Sequence, residues 1–152
     1  MEFVPLVSVV IEDEDGKVLF VLEKKKKNFD KLNLPGGHLE FGESITDGAV
    51  REAKEEVSVD VELTGLVGVY TGVKREKNLQ YFHYVFSANV LSGTPEANPA
   101  EVKGIAWHAR DEIYRLDKTR LVSPDKLKMV LEASAKDALG SMDLFNDLPV
   151  QS

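Results

Sequence analysis

The sequence predicts an α+β domain, an α/β/α sandwich in which a mixed β-sheet packs between helices. Its apolar stretches follow the order strands, helix, strands, helix, which is typical of a sheet covered by helices. The length of 152 residues suits one hydrophobic core. Because neither an internal repeat nor a linker interrupts the chain, we expect one domain over residues 1–139 and a polar tail over residues 140–152.

The first half of the chain predicts a β-hairpin followed by a loop and a helix. Residues 7–11 and 18–22 are rich in β-branched side chains and flank a turn of acidic residues and glycine, as hairpin strands do. The Pro-Gly-Gly break at residues 35–37 precedes a helix predicted over residues 45–57. Ser44 is the expected N-cap of this helix.

The second half predicts further strands and a longer helix. One strand is expected to be interrupted near Gly65 or Gly68. Ser123 is expected to cap the longer helix, and Pro124 suits its first position. The expected strands cover residues 59–73, 81–91 and 104–109, and a helical turn is expected over residues 111–113.

Composition excludes several classes of protein. A net charge of −7 disfavours the wrapping of a long nucleic acid, and no apolar run is long enough to cross a membrane. The lack of cysteine excludes disulfides and thiolate metal sites, which fits a cytoplasmic protein. We expect a small-molecule substrate as the partner of this protein.

The apolar residues of the tail are expected either to cover their own core or to form a homodimer interface: Leu144, Phe145, Leu148 and Val150.

Three glutamates crowd one face of the helix predicted over residues 45–57. Glu52, Glu55 and Glu56 are i, i+3 and i+4 neighbours and fall within an arc of about 100°. Such crowding destabilises a helix unless a cation compensates it, and carboxylate oxygens are the ligands that Mg²⁺ takes beside phosphates. The alternative is a solvated acidic helix face.

Residues around this helix predict a support for the three glutamates. Arg51 adjoins them, and Glu43 lies eight residues earlier, so an Arg51–Glu43 ion pair would hold the preceding loop against the helix. Gly36 and Gly37 let the backbone of that loop approach a ligand closely. A carbonyl of the loop would then reach a bound metal.

The segment from residue 37 to residue 59 resembles the Nudix box, G-x5-E-x7-R-E-U-x-E-E-x-G-U, where U is aliphatic. Ser58 departs from the pattern, because the family has glycine at this left-handed helix end, and serine there costs about 1 kcal/mol. Leu32 departs as well, since many members have tryptophan there. The resemblance covers residues 5–137, and the fixed positions of the box are Gly37, Glu43, Arg51, Glu52, Glu55 and Glu56.

The resemblance implies the Nudix fold and a hydrolase that cleaves a diphosphate linkage with Mg²⁺, or with Mn²⁺ as a substitute. It implies that Glu52, Glu55 and Glu56 bind the metal together with the Gly37 carbonyl. Gly36 and Glu43 then support the site. Arg51 is counted among the catalytic residues, and its expected role is to hold Glu43 by an ion pair. The resemblance does not identify the general base. The candidates are Glu55, Glu52 and a carboxylate outside the box, for which Glu101 is the first choice and Glu96 the second.

Weaker features leave alternatives open. Tyr81 and His83 alternate on one strand and are expected either to bind substrate or to fill the core. The lysines at residues 24–27 either attract phosphate or form a solvated loop. Residues 120–124 are similar to a Nudix branch that acts on thiamine-precursor diphosphates. A catalytically silent Nudix domain that binds a nucleotide or a protein is the alternative function, although silent members usually lose helix carboxylates that this chain keeps.

Overall fold

The computed structural model describes residues 1–136 and 138–149. These residues form strands and α-helices in an order close to the predicted one. The strands are β1 (Glu2–Ile11), β2 (Val18–Leu22), β3 (Leu32–Asn33), β4 (Gly36–His38), β5 (Asp60–Lys74), β6 (Leu79–Ser92) and β7 (Gly104–His108). The helices are α1 (Ile45–Val57), α2 (Arg110–Arg115) and α3 (Pro124–Ser134).

The strands form two sheets. The first is four-stranded in the order β4-β1-β6-β5, with β1 parallel to β6 and the other pairs antiparallel. The second is three-stranded in the order β3-β2-β7 and is antiparallel. The mixed pairing and the interleaved helices confirm the α+β class.

The predicted hairpin of the first two strands is wrong. Strands β1 and β2 share a single bridge between Glu12 and Val18 and then separate into different sheets. Both edges of β1 are occupied, by β4 and by β6. Strand β2 is almost wholly buried and pairs with β3 and β7 instead. The predicted turn therefore exists, but it passes the chain from one sheet to the other.

Two apolar clusters place helices on opposite sides of the strands. Helix α1 buries Ala49, Ala53 and Val57 in the first cluster, beside the inward-facing residues of β1 and β5. Helices α2 and α3 contribute Ile113 and Leu131, among others, to the second cluster. The predicted sandwich is confirmed by this arrangement, in which α1 packs against the four-stranded sheet.

Helix α1 begins and ends where the sequence predicts. The Ser44 Oγ accepts a hydrogen bond of 3.0 Å from the Asp47 N–H, which caps the first turn. At the other end Ser58 adopts the left-handed conformation with φ 64° and ψ 26°. The predicted interruption of β5 is also present, as register shifts at Gly65 and Gly68.

The start of helix α3 differs from the prediction in one respect. Pro124 occupies its first turn, as expected, but the Ser123 side chain makes no capping hydrogen bond. Ser123 has φ 48° and ψ 63°, whereas a capping side chain reaches the first-turn N–H groups from the extended region. The first turn of α3 therefore has no side-chain cap.

The tail packs on the domain over part of its length. Gly140 and Leu66 exchange two backbone hydrogen bonds of 2.9 and 2.8 Å. The Phe145 ring lies edge-on to Phe86 at 5.0 Å, whereas Leu144 and Leu148 are exposed. Val150 lies outside the described residues, and the division at residue 139 stays a prediction. Within residues 1–136 and 138–149, no helix is long and apolar enough to cross a membrane.

Candidate functional site

A cavity of about 650 Å³ lies between helix α1, the loop around β4, strand β6 and the start of α3. It is lined by most of the residues that the sequence singles out. Glu96 does not line it, and Glu43 supports it through Arg51. The predicted residues that line the cavity are Gly36, Gly37, Arg51, Glu52, Glu55, Glu56, Tyr81, His83 and Glu101.

Glu56 is the most buried of the three helix glutamates, with 8% of the residue exposed. One carboxylate oxygen, Oε1, accepts a hydrogen bond of 2.7 Å from the Gly36 N–H. Burial and, to a smaller extent, the negative charge of Glu52 raise the Glu56 pKa to about 8, although the hydrogen bond from Gly36 opposes this shift. Burial also raises the Glu52 pKa. Glu56 is thus a buried carboxylate whose ionised form the surrounding protein disfavours.

Gly36 and Gly37 are required by close packing rather than by an unusual backbone angle. A Cβ atom at Gly37 would lie 2.6 Å from the Glu52 Oε1. A Cβ atom at Gly36 would overlap the Ser8 side chain and the Val7 carbonyl. The two glycines therefore allow β4 to lie between β1 and the carboxylates of α1.

Arg51 forms the predicted ion pair with Glu43. Its Nε and Nη2 donate to the two Glu43 carboxylate oxygens at 2.9 and 2.7 Å, and Nη2 also donates to the His38 carbonyl at 3.0 Å. The Nη1 donates to Glu52 at 3.1 Å and to Glu55 at 3.0 Å. One guanidinium thus joins the loop before α1 to two of the three helix glutamates.

The donor set of the cavity suits a hard divalent cation. Six carboxylates line it, from Glu23, Glu40, Glu52, Glu55, Glu56 and Glu101. Within the part of the chain described, no three Asp, Glu or His side chains stand in a ready-made metal cage. Mg²⁺ does not require one, because it usually keeps several waters and takes one or two carboxylates. Burial is the main cause of the raised pKa of Glu56, and a bound cation would favour the ionised carboxylate instead.

Glu101 is brought to the cavity by a loop that is tied to the end of α1. The Asn98 Nδ2 donates to the Glu55 carbonyl at 2.8 Å, and the Asn98 N–H donates to the Glu56 carbonyl at 3.0 Å. The negative charge of Glu101 contributes to the raised pKa of Glu56. Glu96, the second outside candidate, is exposed and does not line this cavity.

Strand β6 presents alternate residues to the cavity. Tyr81 and His83 line it, whereas Phe82 packs on Phe3 with ring centroids 6.0 Å apart. His83 is buried, and its Nε2 lies 2.6 Å from the Ser8 Oγ. Burial lowers the His83 pKa to about 3, so the ring is neutral. Its Nδ1 has no hydrogen-bond partner among the described residues.

Several residues of the cavity were not singled out from the sequence. Lys126 and Lys74 have their ammonium groups over the Tyr81 ring, 5.0 and 6.0 Å from its centroid. These lysines come from α3 and β5, and no local motif joins them. Of the lysines at residues 24–27, Lys25 lines the cavity, whereas Lys24 donates to the Pro99 carbonyl. The other missed residues that line the cavity include Ser8, Glu23, Asn33 and Ser123.

Comparisons with known proteins identify relatives of this chain. A putative 8-oxo-dGTP diphosphatase of Bacillus subtilis (strain 168) is 31% identical over 65% of this chain and 62% of its own. An ADP-ribose pyrophosphatase of Methanocaldococcus jannaschii is 32% identical over 57% of this chain and 52% of its own. A solved NUDIX hydrolase from Nitrosomonas europaea is 29% identical with a TM-score of 0.82, covering 95% of this chain and 96% of that one.

The first curated relatives are longer than the region that they share with this protein. The chain spans 62%, 35% and 52% of three of them. The family assignment does not depend on these lengths, because the NUDIX domain model matches residues 2–130 of this chain. The matched region contains both sheets, helix α1 and every carboxylate of the cavity. This protein therefore belongs to the Nudix hydrolase family.

Proposed function

We propose that this protein hydrolyses a diphosphate linkage in a nucleotide or another organic diphosphate. The observation that carries the proposal is the placement of Glu52, Glu55 and Glu56 on one face of α1, inside a single cavity. Relatives of this chain are named for the cleavage of 8-oxo-dGTP and of ADP-ribose, which supports a nucleotide as substrate. Glu101 adds a carboxylate from outside the helix.

The cofactor that we propose is Mg²⁺, with Mn²⁺ as a substitute. Nudix hydrolases generally use divalent metal ions, and here Glu52, Glu55, Glu56 and the Gly37 carbonyl would hold them. When bound, such an ion neutralises charge on phosphoryl oxygens and lowers the pKa of a coordinated water. The buried Glu56 is suited to this role, because a neighbouring cation would favour the ionised form that burial disfavours.

The residues around the glutamates hold the site in place. Arg51 fixes Glu43, the loop before α1 and two of the helix glutamates at once, so it acts as a positioning residue. Tyr81 and His83 line the cavity beside β4 and would contact the organic part of the substrate. For the general base we favour Glu101, since it lines the cavity and forms no ion pair with Arg51, in contrast to Glu52 and Glu55.

A panel of diphosphates tests the proposed function. Release of phosphate or diphosphate is measured with Mg²⁺ from nucleoside triphosphates, nucleotide sugars, dinucleoside polyphosphates, ADP-ribose and thiamine-type diphosphates. We expect hydrolysis of at least one compound and a loss of about a hundredfold or more in Glu56→Gln, because a lost metal ligand forfeits several kcal/mol of transition-state stabilisation. Glu96→Gln is the matched control, since Glu96 is exposed outside the cavity.

Two outcomes would reject the proposal. If Glu56→Gln matched the wild type on every hydrolysed compound, the assignment of the metal site would be wrong. If the wild type hydrolysed nothing and yet bound one compound, the silent Nudix domain would be the better description. For the general base, Glu101→Gln should lower kcat and flatten the acid limb of its pH profile, whereas a change in metal affinity alone would make Glu101 a ligand.

The remaining expectations concern location and assembly. We propose a cytoplasmic protein, on the composition of the chain, and a homodimer as one possible assembly through the tail. Leu144 and Leu148 are exposed and support the homodimer, whereas Phe145 packs against Phe86 of its own chain. Sedimentation equilibrium of the wild type against Leu144→Ser would decide whether these side chains join two copies.

A further inference from the structure

Two lysines at one end of the cavity have no acidic partner among the residues that the structure describes. The Lys126 and Lys74 ammonium groups lie over the Tyr81 ring, and Lys126 is half-buried. Neither forms an ion pair within the part of the chain described. Among the described residues of this chain, whose net charge is −7, four other lysines do form ion pairs with acids: Lys54, Lys103, Lys118 and Lys128.

The arrangement is costly for the protein alone. Burial and the positive charge of Lys74 together lower the Lys126 pKa to about 8. Two cations are thus held close to one aromatic ring without an anion between them. Gly72 contributes to this geometry, because a Cβ atom there would overlap the Tyr81 ring. The fold therefore makes room for the ring and for the charges around it.

The start of helix α3 adds positive potential to the same place. Lys126 is the third residue of the helix, where the helix dipole favours acids over bases. Ser123 lines the cavity and does not cap the first turn. Because Pro124 has no N–H, the first turn offers the N–H groups of Asp125 and Lys126, and backbone N–H groups at a helix start bind anions in other proteins. In this protein the start of α3 lies beside the Lys126–Lys74 pair, so the helix start and the two ammonium groups act on the same part of the cavity.

The lysine end is electrostatically distinct from the carboxylate end. The charges that raise the Glu56 pKa belong to Glu52, Glu23 and Glu101, whereas the charge that acts on His83 belongs to Lys126. His83 is neutral and nine-tenths buried, and it lines the cavity. It contacts Ser8, which pairs with Gly36 of β4. A neutral histidine and serine thus lie between an acidic end and a basic end of one cavity.

We propose that Lys126 and Lys74 form a second anion subsite, which binds a phosphate group of the substrate that is not part of the cleaved diphosphate linkage. The place of this phosphate in a substrate rests on the proposed function, whereas the subsite itself does not. The phosphate can be a further phosphate of a polyphosphate chain or a phosphate ester on the sugar. Both present a doubly charged terminal group, which two ammonium groups and a helix start can bind.

Binding of inorganic phosphate tests the subsite without turnover. The protein is kept metal-free with a chelator, so that the carboxylate end repels anions, and phosphate is titrated against chloride at equal ionic strength. Tyr81 ring resonances are followed by NMR. We expect a saturable shift in the wild type and a Kd about tenfold higher in Lys126→Gln, as for the loss of one charge-assisted contact. Absence of a saturable shift, or equal affinity in Lys126→Gln, would reject the subsite.

Lys128→Gln is the matched control for this titration. Lys128 lies two residues further along α3, is exposed and faces Glu132. Its substitution removes the same charge from the same helix but not from the cavity. We expect phosphate binding in Lys128→Gln to equal that of the wild type. If Lys128→Gln lost as much phosphate affinity as Lys126→Gln, the loss would reflect the overall charge of the protein, and the subsite would be rejected.

Paired substrates identify the source of the phosphate. One pair is a nucleoside triphosphate and its diphosphate, and the other is ADP-ribose with and without a 2′-phosphate. The ratio of kcat/KM within one pair should fall about tenfold in Lys126→Gln. If neither ratio changed, the proposed role in substrate recognition would be wrong. If the wild type hydrolysed no compound of the wider diphosphate panel, the proposed function would fail, and the phosphate titration would still test the subsite.

Discussion

Arg51 binds both carboxylate oxygens of Glu43 across eight residues of sequence, at 2.9 and 2.7 Å. Both side chains are largely buried, with 21% and 16% of their surface exposed. The hydrogen bond from Arg51 lowers the Glu43 pKa and keeps the carboxyl ionised. Since Arg51 also contacts Glu52 and Glu55, the pair connects the loop before α1 to the proposed metal ligands.

Removing the Glu43 charge should loosen this connection. We expect Glu43→Gln to lower the free energy of unfolding by about 2 kcal/mol, the range for hydrogen bonds to charged groups. Kcat should also fall, because Arg51 is then free to bind Glu52 and Glu55 more tightly. Urea unfolding and steady-state kinetics measure the two effects. Glu40→Gln is the control: its side chain is exposed and 3.6 Å from Arg51, so a change within about 0.5 kcal/mol is expected.

The parts of the site that the sequence predicts correctly are local ones. Helix α1, its Ser44 cap and the Arg51–Glu43 pair lie within a span of residues that the helix geometry relates directly. The left-handed Ser58 is another local feature, because it depends on where the helix stops. Spacing along the chain fixes spacing in space for such features, so a pattern of residues is enough to place them.

The parts that the sequence does not predict depend on distant segments. Strand β2 separates from β1 because β6 and β4 pair with both edges of β1. The residues near position 18 do not indicate that these distant strands occupy β1. Lys74 and Lys126 meet at Tyr81 only through the packing of β5, β6 and α3. A lone lysine in a sequence is normally a solvated charge, so these two were indistinguishable from the rest.

Ser58→Gly should stabilise the protein. Ser58 holds φ 64°, a region in which a residue with a Cβ costs about 1 kcal/mol or more relative to glycine. We expect the free energy of unfolding to rise by about 1 kcal/mol, reduced somewhat by the greater freedom of glycine in the unfolded chain. Urea unfolding measures the change, with Ser58→Ala as control. Equal stability of Ser58→Gly and Ser58→Ala would contradict the left-handed helix end.

His83 should make the protein sensitive to acid. Its pKa is lowered from 6.5 to about 3. Below pH 6.5, His83 is therefore protonated in the unfolded chain and stays neutral in the folded protein. Stability contributed by the neutral ring is present above pH 6.5 and is lost as the pH falls toward 3, by about 2 kcal/mol at roughly pH 5. His83→Gln should remove this part of the pH dependence, whereas His38→Gln, at an exposed histidine, should keep it.

Unfolding in urea at roughly pH 8 and pH 5 measures that dependence for all three proteins. The comparison uses the difference between the two pH values, so a general loss of stability in His83→Gln cancels. An unchanged difference in His83→Gln would mean that the buried ring takes up its proton in the folded state. The Lys126 charge, which also disfavours protonation of His83, predicts a smaller difference in Lys126→Gln.

Gly37→Ala should impair the site without unfolding the domain. The new Cβ atom would lie 2.6 Å from the Glu52 Oε1, closer than side-chain contacts allow, so the carboxylate must move. Displacing a proposed metal ligand by a fraction of an ångström should lower kcat/KM about tenfold to a hundredfold. Gly104→Ala is the matched control, because its Cβ would meet only the end of the Leu22 side chain, at 3.3 Å. Equal activity of Gly37→Ala and the wild type would mean that Glu52 acts from another position than the one beside β4.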